Sequence, residues 1–362
     1  MIVIGTDTHK RTHTVEAANS ATGELRGGLT APARTPGFVQ LLDWGRELDS
    51  ERIWAIEDCR HVSASFERYL VAHGERVVRV PPKLMGQSRR GERSAGKSDA
   101  IDAAVIARAA LKEGPETLPA AYLDEKALQI KLWLDHREDL VRARAEDQQR
   151  LRWHLHGLWP DYEIPAGALD RAIWLDRVAR RLARAEQSAR VAIARELVVE
   201  IRRRTKRARE LERQIAALVG DYAPQLLELP GCGALSAAKI IAEVAGAERF
   251  SSDAKLARLA GVAPIPASSG KTSRHRLDRG GNRQLNCALH RIAVTQGRVH
   301  PPAREFLARK QAEGKGRMEA LRCLKRHLVR AVWNALRAPE SLEHDSRKLQ
   351  ATSTSAVAAG LT

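Results

Sequence analysis

The chain has 362 residues, with 61 Lys and Arg against 44 Asp and Glu, so its formal net charge is +17. That length favours two or three domains, and a hydrophobic content of 43% is enough to bury a sizeable core. No run of about 18 apolar residues occurs, which excludes a transmembrane helix. So basic a chain calls for a polyanion. Nucleic acid fits best, because an anionic membrane surface would also want an amphipathic anchor or a lipidation signal.

The opening MIVIGTDTHK lacks the basic start and cleavage site of a secretory signal. Cys59, Cys232, Cys287 and Cys323 are scattered and form no CxxC, which argues against a disulfide framework or a structural zinc site. His154 and His156 have no cysteine partners and read as ordinary surface or core residues. The expectation is a reduced, cytoplasmic protein without a membrane partner.

In chain order, strands are expected at Ile2–Ile4, Thr12–Ala18 and Glu24–Thr30, the last after the Thr22-Gly23 turn. Pro36 opens a helix to Leu48. A strand at Arg52–Ile56, a helix at His61–His73 and a strand at Arg76–Val80 follow, then a Gly-, Ser- and Arg-rich loop at Gly86–Lys97. A helix runs from Ser98 to about Lys112. This order predicts α/β architecture with a mixed sheet, and no GxGxxG follows the first strand to suggest a dinucleotide site. From Asp124 to Asp221, leucines at helical spacing predict two long helices, the second over Ile173–Leu218, forming a hairpin or coiled coil. Beyond Leu226 the chain is Gly-punctuated and mainly helical, with helices at Leu235–Val244, Asn282–Thr295, Pro302–Ala312 and Met318–Leu336. The predicted division is 1–123, 124–222 (a helical region able to complete the first domain), 223–338, and a mobile tail at 339–362.

Four acids fall where chemistry is possible. Asp7 ends the first strand, Glu57 ends a later one, and Asp99 and Asp102 share a helix face at i, i+3 spacing. Carboxylates converging from strand ends and a helix start need cations, and hard oxygen donors select Mg²⁺ or Mn²⁺. Singly, each has a plainer reading: Asp99 as a first-turn charge behind a Ser98 cap, Glu57 as a partner of Arg60. The positive charge also clusters. Residues 255–299 hold nine Lys and Arg against the single acid Asp278. Among the nine, Lys271, Arg274, Arg276, Arg279 and Arg283 follow Ser268-Ser269-Gly270. A P-loop is excluded there, since the first glycine it needs is Ile265. Either serine can serve as a nucleophile toward phosphorus, and a plain turn explains the same residues. Gly231 and Gly233, flanking Cys232 before an apolar helix, resemble a helix–hairpin–helix turn offering backbone N–H groups to a phosphate. The Arg202-Arg203-Arg204 run is a solvated face or a phosphate track.

These residues together resemble the bacterial insertion-sequence transposases that carry a DEDD carboxylate set and a catalytic serine, the bridge-RNA-guided recombinases. The resemblance spans about residues 1–337. It rests on Gly5-Thr6-Asp7-Thr8-His9-Lys10, Ala55-Ile56-Glu57, Lys97-Ser98-Asp99-Ala100-Ile101-Asp102-Ala103, Leu229-Pro230-Gly231-Cys232-Gly233, Phe250 with Ala260-Gly261-Val262-Ala263-Pro264, Ser269-Gly270-Lys271 and Gly280-Gly281-Asn282-Arg283. It implies a RuvC-like, RNase H-type first domain and a helical serine transposase domain. It implies that Asp7, Glu57, Asp99 and Asp102 bind Mg²⁺, with Mn²⁺ as an alternative. It implies that Ser269, the serine directly before glycine, forms a phosphoserine link to DNA. A bridge noncoding RNA, donor and target DNA, dimers assembling to a tetramer, and a nucleoid location are further implications. Two other functions compete: a metal-dependent RuvC-like nuclease of the Holliday-junction resolvase type, and a non-catalytic nucleic-acid-binding protein.

Overall fold

The computed structural model describes residues 1–57, 60–81, 84–85, 98–121, 124–247, 250–267, 275–278 and 280–337. The described chain divides into two compact units: Met1–Asp124 with Gly246–Lys255, and Glu125–Ala245 with the residues from Leu256 on.

The first unit is built on a five-stranded mixed sheet in the order β3-β2-β1-β4-β5. Its strands are β1 (Ile2–Thr8), β2 (Thr12–Asn19), β3 (Leu25–Pro32), β4 (Arg52–Glu57) and β5 (Val77–Val80). β1, β2 and β3 form an antiparallel meander, and β4 and β5 run parallel to β1. Helices α1 (Thr35–Leu48), α2 (Arg60–Ala72) and α3 (Asp99–Glu113) complete it. Every residue of β1 is buried, as a central strand covered on both faces requires. Ile2 and Ile4 join Phe38, Leu41, Leu42 and Phe66 on one face. Val3 joins Ala55, Val105, Ile106 and Ala107 on the other. The meander-then-alternation expected from sequence is therefore the observed order, and the α/β reading holds.

One polar group anchors the far end of this sheet. The buried Glu75 carboxylate accepts hydrogen bonds from Arg52 Nε at 2.7 Å, Arg52 Nη2 at 2.6 Å, Trp54 Nε1 at 3.0 Å and Arg46 Nε at 3.2 Å. Burial alone would raise its pKa, but these donors carry it below the ordinary glutamate range.

The second unit is helical: α4 (Glu125–Leu158), α5 (Ala172–Ala183), α6 (Ala189–Tyr222), α7 (Gln225–Glu228), α8 (Ala234–Val244), α9 (Asp253–Leu259), α10 (Arg283–Val299), α11 (Pro301–Ala312) and α12 (Arg317–Arg337). A two-stranded ribbon, β6 (Ile265–Pro266) and β7 (His275–Arg276), lies between α9 and α10. Helices α4 and α6 pack antiparallel, because Arg137 meets Glu212 at 2.8 Å while Asp147, ten residues on, meets Arg204 at 2.8 Å. Leu151, Leu155, Val198 and Ile201 fill the seam, with Leu175, Val178 and Leu182 of α5 against it. The hairpin thus forms as expected, with one correction. The second helix is broken: α5 ends at Ala183, and Ser188 starts α6 by accepting a hydrogen bond from the Val191 N–H at 3.3 Å.

Candidate active site

The acidic site starts with a glycine. A Cβ on Gly5 would lie 2.0 Å from the Ala103 carbonyl oxygen and 2.4 Å from the Ala107 nitrogen. Only glycine lets α3 lie directly on β1. Asp7 is two residues further along β1, so it faces the same helix. On the parallel neighbour, Gly5 pairs with Ala55 and Thr6 with Ile56, and Glu57 is the next and last residue of that strand. Helix α3 begins at Asp99, capped by Ser98, whose Oγ accepts from the Ile101 N–H at 3.3 Å. Asp99 and Asp102 therefore arrive in the first turn, just before the point where α3 crosses Gly5.

The distances place a donor group at this point. His9 Nε2 lies 3.0 Å from Asp7 Oδ2 and 3.3 Å from Asp99 Oδ1. One donor atom each from Asp7, His9 and Asp99 lie within 4.8 Å of one another. Asp7 is only 6% exposed. Burial raises its carboxyl pKa, His9 counteracts this, and the charges of Asp102 and Asp99 add to the rise. A buried carboxylate under pressure from two like charges is stabilised by a cation, and oxygen donors with one imidazole can hold a divalent one. The structure so brings Asp7 and Asp99 together, with Asp102 near enough to act on Asp7 and Glu57 in adjoining register. His9 was missed by the sequence reading. Its signal was the i, i+2 spacing from Asp7, which keeps both on one side of an extended chain.

Ser268, Ser269, Lys271, Arg274 and Arg279 lie outside the described residues, as does the tail from Ala338. The chain flanking the serine segment is described. Ile265 pairs with Arg276 and Pro266 with His275 in the ribbon, and Arg276 is exposed. Gly261 has φ +63, and a Cβ on Gly281 would lie 2.2 Å from the Gly261 Cα. These two glycines bring the segment's stems into backbone contact. Asn282 then caps α10, accepting from the Leu285 N–H at 2.9 Å while its Nδ2 donates to Glu243 Oε2 at 2.6 Å. Arg283 is exposed in the first turn of α10.

The remaining sequence candidates have local partners. Gly231, at φ +78, faces α10, and a Cβ there would lie 3.0 Å from the Thr295 Cβ. Gln296 Nε2 donates to the Pro230 carbonyl at 2.8 Å, so the turn is fastened to α10. Gly233 is the N-cap position of α8. Arg202 pairs with Asp176, Arg203 with Glu200 at 2.7 Å, and Arg204 with the buried Asp147. Among the described residues, no helix is long and apolar enough to cross a membrane.

Comparison with known proteins bears on both units. Residues 4–160 match a transposase family model of the IS110 DEDD type, and residues 223–308 match the model described as transposase IS116/IS110/IS902 family. The chain is 27% identical over 380 residues to an uncharacterized 44.8 kDa protein of insertion element IS116 from Streptomyces clavuligerus, covering 93% of this chain and 94% of that protein. It is 28% identical over 334 residues to an uncharacterized 42 kDa protein of insertion element IS900 from Mycobacterium paratuberculosis, covering 79% and 83%. A 43.6 kDa protein of insertion element IS110 from Streptomyces coelicolor is 29% identical over 287 residues, covering 67% and 71%.

Proposed function

The chain belongs to the IS116/IS110/IS902 transposases, DNA-recombining enzymes of insertion sequences, and from that premise we propose that it cuts and rejoins DNA through a covalent phosphoserine intermediate at Ser269. The supporting observation is the convergence of Asp7 and Asp99 on one point, with the Asp102 charge acting on Asp7. The DEDD type of the matching family suggests divalent metal use. Asp7, Glu57, Asp99 and Asp102 would hold Mg²⁺, or Mn²⁺, in a RuvC-like, RNase H-type domain. When bound, the metal supplies positive charge to a phosphodiester and its leaving oxygen.

The chain's own groups do the rest. The Ser269 Oγ bonds to phosphorus as the P–O bond to a deoxyribose breaks. The serine proton is lost and the departing oxygen gains one. The ester keeps the energy of the broken bond, so a second DNA hydroxyl can displace serine without ATP. Arg276 and Arg283, with Lys271, Arg274 and Arg279, would neutralise phosphate charge around that step. The Gly231–Gly233 turn would present its backbone to a phosphate. Arg202, Arg203 and Arg204 contribute only through the faces they leave beyond their ion pairs. Choice of donor and target DNA would fall to a bridge noncoding RNA, with dimers assembling to a tetramer in the cytoplasm, on the nucleoid.

The deciding experiment is denaturing electrophoresis of full-length protein incubated with donor and target DNA, the RNA transcribed beside the element, and Mg²⁺. A protein–DNA adduct is expected for wild type and absent from Ser269→Ala, which still binds DNA. An adduct that persists in Ser269→Ala but is lost in Ser268→Ala moves the nucleophile by one residue. Cleavage without any adduct replaces this reading with the metal-dependent resolvase, which needs only the carboxylates.

A further inference from the structure

A cavity of about 540 Å³ opens in the second unit, beside the ribbon that flanks the serine segment. Its lining includes Arg276 of the ribbon, Lys310 in the last turn of α11, Lys315 in the link that follows, and Arg322, Lys325 and Arg326 on one stripe of α12. Asp278 and Glu319 are the acids on its wall. Asp278 also accepts the Gly280 N–H at 2.8 Å, and six cations share the lining with these two acids. The cations from Lys310 onward lie beyond the residues matched to the family model, which end at 308.

Lys325 is the unusual member. It is only 7% exposed. Its ammonium donates to Asn286 Oδ1 at 2.8 Å, and no carboxylate within 4.0 Å pairs with it among the described residues. The Asn286 amide cannot turn away, because its Nδ2 donates to the Ala260 carbonyl at 2.7 Å. Neutral Asn286 satisfies one of three ammonium hydrogens and cancels no charge. Burial and the neighbouring Arg322 hold the Lys325 amine below its ordinary range. A buried ammonium without a counter-charge is among the costlier things a fold can contain, and lysines are seldom buried unless paired. Among the described residues no carboxylate supplies that charge, and an anion entering the cavity would.

We infer that this cavity is a phosphate subsite for a DNA strand, with Lys325 at its floor and Lys315, Arg322 and Arg326 at its walls. A backbone phosphodiester carries one negative charge and free oxygens for several donors, which suits one buried ammonium and a guanidinium-rich rim. A transposase brings DNA to the protein. The same Asn286 that positions Lys325 also bonds the Ala260–Gly261 stem of the serine segment, so an anchored strand is linked to that stem. The inference does not depend on serine chemistry, since it concerns binding alone.

The test uses the full-length protein, a fluorescent duplex oligonucleotide and a series of salt concentrations. Lys325→Met keeps the length of the side chain and removes its charge. It is expected to weaken binding about tenfold and to reduce the slope of log K against log salt by about 1, one phosphate contact, with a thermal midpoint no lower than wild type. Arg322→Gln, at an exposed position, should lower the slope in the same direction and keeps the question answerable should Lys325→Met not fold. Slopes and affinities equal to wild type in the folded variants overturn the inference. Inorganic pyrophosphate or dAMP is the control for a small free anion. If either raises the wild-type thermal midpoint through Lys325 while oligonucleotide binding ignores the substitution, the cavity is a small-anion site and the DNA assignment falls.

Discussion

Gly5 and Ala103 are in contact with nothing between them but backbone: a side chain at Gly5 would begin 2.0 Å from the Ala103 carbonyl oxygen. This contact sets the depth at which α3 meets β1, and with it the distance from Asp7 to Asp99 and Asp102. Gly5→Ala is therefore expected to push α3 outward. The penalty should reach or exceed the upper end of the roughly 1–3 kcal/mol typical of overpacking, because backbone cannot rotate aside as a side chain does. Urea unfolding checks the stability. Metal titration of whatever remains folded should show weakened binding even though no donor has been touched. Full metal affinity in a folded Gly5→Ala protein contradicts the geometric argument.

Removing a carboxylate should act in opposite directions with and without metal. In metal-free buffer, Asp7→Asn takes away a buried charge that Asp99 and Asp102 repel, so the thermal midpoint should hold or rise. With Mn²⁺ or Mg²⁺, wild type should gain stability by mass action, about 2.7 kcal/mol at a hundredfold excess over Kd, and Asp7→Asn should gain none. His9→Ala should retain a reduced gain, since Asp7 and Asp99 remain. Equal metal-induced shifts in wild type and Asp7→Asn would place the ion elsewhere.

The Glu75 cluster predicts a pH dependence in the acid range. Its folded pKa lies below its unfolded one, so the stability it contributes is present above the ordinary glutamate range and is lost as pH falls through the folded value. Glu75→Gln keeps the shape but leaves Arg52 without its carboxylate, at a cost of about 3 kcal/mol near neutrality. The gap between the wild-type and Glu75→Gln melting temperatures should narrow steadily as pH is lowered below the glutamate range. A gap that stays constant with pH would mean that the carboxylate contributes only shape.

What the sequence made legible, and what it hid, divides along the line between local and distant causes. The apolar run at Ile2–Ile4, the Ser98 cap and the long leucine spacing of α4 are local signals, and each became the expected element. The break before α6 escaped because apolar spacing continues across it; periodicity reports which face is buried, not whether the backbone is continuous. Ser188, three residues before Val191, was the available cue. For the four acids, position on strand ends and a helix start was readable, but the meeting of Asp7 with Asp99 depends on Gly5 admitting α3. His9 reads as one more polar residue until the Asp99 carboxylate arrives from 90 residues away in the chain. Lys325 belongs to the polar pattern of an amphipathic helix, and only the packing of α10 against α12 buries it.

The meeting of Gly261 with Gly281 means that the nineteen positions between them begin and end at nearly one place. The near stem is tied to α9, since Val262 and Ala263 both donate their backbone N–H groups to the Ala257 carbonyl, at 2.9 and 3.1 Å. The far stem is tied to the same helix, since the Asn282 N–H donates to the Leu259 carbonyl at 2.6 Å. The two glycines thus fix where the span leaves and rejoins the scaffold, and a variant that changes its length must still return to that one meeting point.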